Sequence, residues 1–482
     1  MRTDAFIDGR YVPAADGRTF ATVSPRDGTE IAQVARGGAE DIDRAVAAAR
    51  RAFERGDWAY ADPAARGRVL VRLAALMAEH LDELAGIEAT DTGHPIGDAR
   101  GVDVPNAARC FAWYGEAIDK VYGEIAPTGA DALALIAREP LGVVGAVVPW
   151  NYPLIITAWK LAPALAAGNS VVLKPAEQSP LSALALAELA AQAGVPDGVL
   201  NVVPGYGEEA GQALGRHYDV DKIAFTGSVP VGRLFQRYAG ESNGKAVSLE
   251  LGGKSPQVVL ADAADLQAAA EAIGWGIFYN AGQTCHAGSR VVVARAVRDE
   301  LVERVERFAA ETFVPADPMD PDTVLGALIS TEHLEGVMGR VQRAAGAGAR
   351  VLVGGERAEP VPGGAYMTPT LIEAPDRRDP IVTEEVFGPV LVIQTAEDTN
   401  QALELANDTR YGLAAALWTS DVRTAGRLAR RLRAGTVWVN TFDASSMATP
   451  FGGFRDSGHG RDRSLHALEA YTQLKTTWIS LT

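Results

Sequence analysis

The chain has 482 residues, a net charge of −16, 47% hydrophobic and 22% charged residues, and two cysteines. A single core stops growing well before about 300 residues, so two or three domains are expected. The negative charge opposes association with phosphate backbones and anionic membrane surfaces, which sets aside nucleic acid and membrane as partners and leaves small-molecule chemistry.

The opening MRTDAFIDGR is charged at once and has no apolar core of a signal peptide. The apolar run from Leu133 to Trp150 is broken by Arg138, Glu139, Pro140 and Pro149, too often for a membrane span. A cytoplasmic location is the expectation. In AFIDGRYV, Asp8-Gly9 between two short apolar runs predicts a hairpin. Ile42, Val46, Ala49 and Phe53 share one helical face, and a single further helix is predicted from Val69 to Ile87, stopped by Gly93 and Pro95. Cys110, in ARCFAWYGEA, follows helical spacing and reads as a small buried hydrophobe. With Cys285 far away in sequence, a disulfide framework is not expected.

From Val143 onward, β-branched runs alternate with helical stretches: VVGAVV, Leu154 to Ala167, SVVL, Ser182 to Ala193, VLNVV, Glu208 to Leu214, KIAF, Val231 to Ala239 and AVSLEL. Such alternation predicts a parallel sheet covered by helices. A second set follows LGGKSP: QVVL, Ala264 to Tyr279, RVVVA, Asp299 to Glu311, PVLVIQ, Gln401 to Ala406, LAAALW and TVWVN. GGAYMTPT reads as a turn-rich linker, and PFGGFRDSGHG as loop inside or at the edge of this second unit. Glu124 to Pro140 and YTQLKTTWISL read as strands outside both units, whose exposed edges call for a cover, with a partner subunit as the default.

Several polar residues fall where strands end. In TGSVPVG, Gly227, Ser228 and Gly232 stand at a strand-to-helix turn that can seat a diphosphate, although the middle glycine of GxGxxG is missing. Lys174 and Glu177 follow the SVVL strand, where both can bond ribose hydroxyls. A lone Lys-x-x-Glu is more often a surface ion pair. A carboxylate at that place would repel a 2′-phosphate and prefer NAD over NADP. Cys285 lies in the glycine-flanked loop AGQTCHAG, which leaves a thiol accessible as a nucleophile needs, although most free cysteines are structural. His286 next to it invites a Cys-His hydrolase, but adjacent side chains tend to point apart, so it reads as a packing or loop contact. Glu250 ends a strand before two glycines, and burial there would raise its pKa towards that of a general base. Asn151, in PWNYP, offers an amide donor or else bonds its own turn.

Together PWNYP, LKPAE, FTGS, LELGGKSP, GQTC, EEVFGPV and PFGGFRDSG resemble, in order and spacing, the motifs of the aldehyde dehydrogenase superfamily, over nearly the whole chain. The resemblance implies an α/β fold with a Rossmann-like NAD-binding domain (1–123 and 142–252), a catalytic domain (253–455) and a small β oligomerisation arm (124–141 and 468–482) in a homodimer or homotetramer. It implies NAD as cofactor, no metal, Cys285 as nucleophile, Glu250 as general base and Asn151 as oxyanion donor. It further implies Lys174 and Glu177 at the adenosine ribose, Gly227 and Ser228 at the diphosphate, Glu385 and Phe387 at the nicotinamide, and Trp150 along the cofactor passage. Lys160 and Asp462 correspond to a proton path, with Asp462 shorter than the family's usual Glu. The substrate tunnel would be lined by Asn106, Tyr152, Ile155, Ile156, Trp159, Tyr279, Thr284, Asp443, Ser445 and Phe451. FERGDW, AIDKVYGE, IFYNAGQ and GRDRSLHALEAYTQLKTTWISL are similar to the branch acting on γ-glutamyl-γ-aminobutyraldehyde and 4-guanidinobutyraldehyde, where Asp443 could pair with a cationic group. The alternatives are a broad-specificity aliphatic or aromatic aldehyde dehydrogenase, a CoA-acylating enzyme and a Cys-His hydrolase.

Overall fold

Runs of Val, Leu and Ala that are buried at every position form parallel strands, because such runs can hide on both faces only under helices. In the computed structural model, which describes residues 1–482, Val143–Val147, Ser170–Lys174 and Arg290–Ala294 are buried throughout. The first sheet has a parallel centre in the order Leu200–Val202, Ser170–Lys174, Val143–Val147, Lys222–Gly227, Ala246–Leu251. In chain order that is third, second, first, fourth, fifth. The direction of winding therefore reverses between Val143–Val147 and Lys222–Gly227, and ligands of open α/β sheets bind beyond the carboxyl ends of strands at such a reversal.

The predicted hairpin, Ala5–Ile7 and Arg10–Val12, turns through Asp8 and Gly9 at φ 52° and 77° and pairs with Leu200–Val202. At the opposite edge, Gly458–His459 pairs antiparallel with Leu249 and Glu250. PFGGFRDSGHG thus reaches the first sheet, whereas the sequence placed it with the second. Gly458 is at φ 104°, and a Cβ there would stand 2.1 Å from the Leu249 carbonyl oxygen, so the residue allows this approach.

The second sheet runs Arg350–Val353, Thr370–Glu373, Val390–Ala396, Arg290–Ala294, Pro256–Val259, Ala414–Trp418, Thr436–Val439, parallel except for its first strand. GGAYMTPT is not a plain linker. Tyr366–Met367 pairs with Arg357–Ala358, and Thr370 opens a sheet strand. Glu124–Ala126, Ala132–Pro140 and Thr472–Ser480 make a separate antiparallel sheet. It leaves Ile125, Leu474, Trp478 and Ile479 exposed.

The predicted helix from Val69 to Ile87 is two helices, Pro63–Glu79 and Leu81–Thr92, broken at His80. The His80 ring meets the Glu83 carboxylate at 2.9 Å, and Asp82 and Glu83 give the second helix an acidic first turn. Pro63–Glu79 lies against Val104–Ala117 through Gly67 and Gly115; a Cβ on Gly67 would stand 2.2 Å from the Gly115 carbonyl oxygen. Cys110 is buried on the second of these helices, as its spacing predicts.

Asn169 ties the first sheet to the end of the chain. Its Oδ1 accepts from Leu141 N and Gly142 N, and its Nδ2 donates to the carbonyls of Ala164 and Tyr471. Asn169→Ala strands two backbone amides in a buried place, each worth about 1–3 kcal/mol. A loss of about 3 kcal/mol in urea unfolding is expected, with Asn169→Asp recovering part of it because the acceptor remains.

Candidate active site

Residues 280–282 all sit at positive φ, 48°, 52° and 72°. This left-handed run ends the helix Leu266–Phe278 and throws residues 283–286 back towards the first sheet. Only glycine fits at 282, where a Cβ would stand 2.1 Å from the Gly388 carbonyl oxygen. Asn280 Nδ2 donates to the Asn151 carbonyl and Asn151 Nδ2 to the Gln283 carbonyl, at 2.9 and 2.8 Å. Asn151 therefore holds the cysteine loop rather than its own turn. Gln283 closes the arrangement by accepting from Ile329 N at 2.9 Å. Cys285 is partly accessible at the end of this brace.

One side of the thiol opens on a cavity of about 170 Å³. Of the residues the sequence placed in the tunnel, Asn106, Tyr152, Ile155, Ile156, Trp159, Tyr279, Asp443, Ser445 and Phe451 line it. Thr284 does not. It stands behind the wall and bonds the Tyr152 hydroxyl at 2.7 Å. His286, Arg109 and Arg463 also line the cavity, and nothing in the local sequence pattern announces them there.

His286 contradicts the expectation that neighbouring side chains diverge. Its Nδ1 is 3.8 Å from Cys285 Sγ, and its Nε2 is 2.9 Å from Asp443 Oδ1. The cause is a tight turn, Ala287 N to Thr284 O at 3.0 Å, which swings both side chains to one side. Burial alone would lower the imidazole pKa, but the Asp443 carboxylate overrides it and pushes it up to about 10. An imidazolium beside the sulfur favours the thiolate over the thiol.

Glu250, at the end of Ala246–Leu251, is buried, and neither carboxylate oxygen has a hydrogen-bond partner. Burial, then Asp462, raise its pKa well above the carboxylate range, while Lys160 opposes them. Lys160 Nζ donates to Asp462 Oδ2 at 2.6 Å, both groups buried, so the shorter acid does reach its lysine.

On the reversal side, Lys174 is buried and donates to Glu177 at 2.9 Å. This is not a surface ion pair. The crevice fits a dinucleotide. The Thr226 hydroxyl before Gly227 is buried without a partner, and Ser228 leads into the helix Val229–Gly240 with no side-chain cap, leaving first-turn N–H groups free. Trp150 stacks edge-on to Phe387 at 5.3 Å and to His333 at 5.3 Å, and His333 Nε2 lies 2.7 Å from the Phe387 carbonyl oxygen. Glu385 accepts from Gly253 N at 3.0 Å; burial pushes its pKa up to about 7. Gly252 leaves room for this carboxylate, since a Cβ there would displace it.

The family model described as the aldehyde dehydrogenase family matches residues 11–477, and the chain belongs to that family. It is an oxidoreductase. The chain is 52% identical to the NADP/NAD-dependent aldehyde dehydrogenase PuuC of Escherichia coli, over 99% of this chain and 95% of the relative. It is 48% identical to an aminoacetaldehyde dehydrogenase of Pseudomonas aeruginosa, over 98% and 95%. Its fold superposes with a TM-score of 0.98 on the γ-glutamyl-γ-aminobutyraldehyde dehydrogenase of Burkholderia cenocepacia, 53% identical, covering 100% and 97% of the two chains. These agree with the branch its motifs resemble. No helix is long and apolar enough to cross a membrane.

Proposed function

We propose that the chain oxidises an amino-aldehyde, such as γ-glutamyl-γ-aminobutyraldehyde or 4-guanidinobutyraldehyde, to its carboxylic acid through a thioester on Cys285, with NAD as cofactor. The observation that carries this reading is the place of the Cys285 thiol, open to the cavity on one side and braced by Asn151 against the crevice at the sheet reversal.

The sulfur of Cys285 attacks the aldehyde carbon and the carbonyl oxygen becomes an alkoxide. Asn151 spends one N–H on Gln283, and its second N–H, with the Cys285 backbone N–H, is available to that alkoxide. The bound nicotinamide supplies the acceptor for the hydride that leaves this carbon. Glu250 then takes a proton from the water that attacks the thioester, and the adjoining Lys160–Asp462 pair offers the proton a way out. Lys174 and Glu177 hold the ribose, Gly227 and Ser228 the diphosphate, and Trp150, Glu385 and Phe387 the nicotinamide end. In domain terms, residues 1–123 with 142–252 bind NAD and 253–455 carry the cysteine. Residues 124–141 with 468–482 form an arm whose exposed Leu474, Trp478 and Ile479 suit a contact between copies in a dimer or tetramer.

The aromatic walls, Tyr152, Trp159, Tyr279, Trp438 and Phe451, favour a second reading as a broad-specificity aliphatic or aromatic aldehyde dehydrogenase. Comparing kcat/KM for 3-aminopropanal, 4-guanidinobutanal, hexanal and benzaldehyde, with NADH and CoA-independent acid followed together, separates the two. A strong preference for hexanal ends the amino-aldehyde reading. Cofactor choice has its own test. Glu177→Ser removes the charge facing a 2′-phosphate, and the NADP-to-NAD ratio of kcat/KM is expected to rise about 10-fold or more.

A further inference from the structure

We infer that the tunnel contains an anion subsite built on Arg463, and that the preferred aldehydes carry a carboxylate at the end remote from the carbonyl. The inference rests on the function proposed above and narrows it, favouring its acylated, carboxylate-bearing aldehyde over its guanidino one.

Arg463 is only 7% exposed, yet it lines the cavity onto which Cys285 opens. Its guanidinium carbon lies 5.2 Å from the Trp159 ring centre and 5.1 Å from that of Phe451. Those rings support the cation but accept none of its five N–H donors in plane. Nε is buried without a partner, and no carboxylate stands at ion-pair distance. The acids nearby are committed elsewhere, Asp462 to Lys160 and Asp443 to His286. A buried charge is costly unless something pairs with it, and here Asp443 and Asp462 attract the guanidinium without either bonding it. The guanidinium fork matches a carboxylate with two parallel hydrogen bonds.

The charge of the whole tunnel points the same way. Its lining carries three basic side chains, Arg109, His286 and Arg463, and one acidic side chain, Asp443. His286 and Asp443 cancel each other at 2.9 Å. What remains is the charge of two arginines. A tail ending in a bare ammonium or guanidinium meets two like charges and a carboxylate already engaged. A tail bearing a carboxylate meets a buried, unpaired guanidinium. Among amino-aldehydes, this selects those whose nitrogen is acylated by a carboxylate-bearing group over those with a free amine.

The test compares ω-oxo carboxylates, from 4-oxobutanoate to 7-oxoheptanoate, with n-alkanals and ω-amino-aldehydes of matching length, using the full-length enzyme and NAD. The carboxylates are expected to exceed the alkanals in kcat/KM by about 10-fold or more at the best length, chiefly through KM. Arg463→Met should collapse that ratio and Arg463→Lys restore part of it, which a merely structural role would not do. Should the methionine variant fail to fold, the wild-type ratio decides, together with competitive inhibition of alkanal oxidation by the matching dicarboxylate. Equal kcat/KM for carboxylate and alkanal in the wild type, or an unchanged ratio in Arg463→Met, overturns the subsite. If alkanals and amino-aldehydes are oxidised well but carboxylates poorly, the subsite falls and the proposed function stands. If no aldehyde of any class yields NADH, both fall.

Discussion

Cys285→Ala lowers kcat/KM for every aldehyde by at least about 10⁴-fold, while the Kd for NAD moves by less than about 2-fold. The loss is this large because, in the proposed reaction, the sulfur forms the bond that turns a planar carbonyl into a hydride donor, and no other side chain replaces it. His286, 3.8 Å away, is held by Asp443 at 2.9 Å and does not take the sulfur's place. NAD affinity persists because the residues assigned to the ribose and diphosphate, Lys174, Glu177 and Ser228, stand on the first sheet and its helices, not on the cysteine loop. Steady-state kinetics and calorimetry measure the two halves. Residual oxidation above about 1% of the wild-type rate would remove Cys285 from the chemistry.

Glu250→Gln separates the two chemical stages. About one equivalent of NADH per active site should appear at a near-normal rate, followed by turnover slowed by about 10²–10⁴-fold, since acylation does not need the carboxylate and hydrolysis does. The amide fills the same volume, so the surroundings keep their packing. As the proposed base, Glu250 works in its ionised form. Burial and Asp462 raise its pKa, so the hydrolytic rate should climb with pH through a value well above the usual carboxylate range and fall away on the acid side. That limb should vanish in the glutamine variant. Unchanged steady-state turnover would assign water activation to another group.

Much of the fold was legible because its central strands are short, largely apolar runs alternating with helical stretches, a local signal that tertiary context does not overrule. Less was legible where the signal was faint. The helix Thr331–Gly346 buries Leu334, Val337, Val341 and Ala344 at helical spacing, but Gly336 and Gly339 dilute the pattern, and Val422–Ala429 buries little beyond Leu428. The break at His80 was hidden because apolar periodicity continues across it. In the site, Cys285 in its glycine-flanked loop, Glu250 at a strand end and Asn151 in PWNYP were already candidates for reactive roles. His286 and Arg463 did not, for a backbone reason. Arg463 and Ser464 lie at φ 60° and 54°, and the turn at 284–287 reverses the usual alternation, so where these side chains point depends on conformations that no local residue type announces. The pairing of Gly458–His459 with the first sheet was hidden too, since two residues of loop composition carry no strand signature.

The contrast between the two sulfurs gives the molecule a built-in counter. Cys110 is shut inside a helix, its thiol pushed up by burial, while Cys285 remains reachable. An alkylating probe should thus mark each native polypeptide once, at the proposed nucleophile, so labelling stoichiometry reads the fraction of intact centres. A second mark becomes accessible only when the helix Val104–Ala117 opens, and its rate of appearance is a clock for the unfolding of that region.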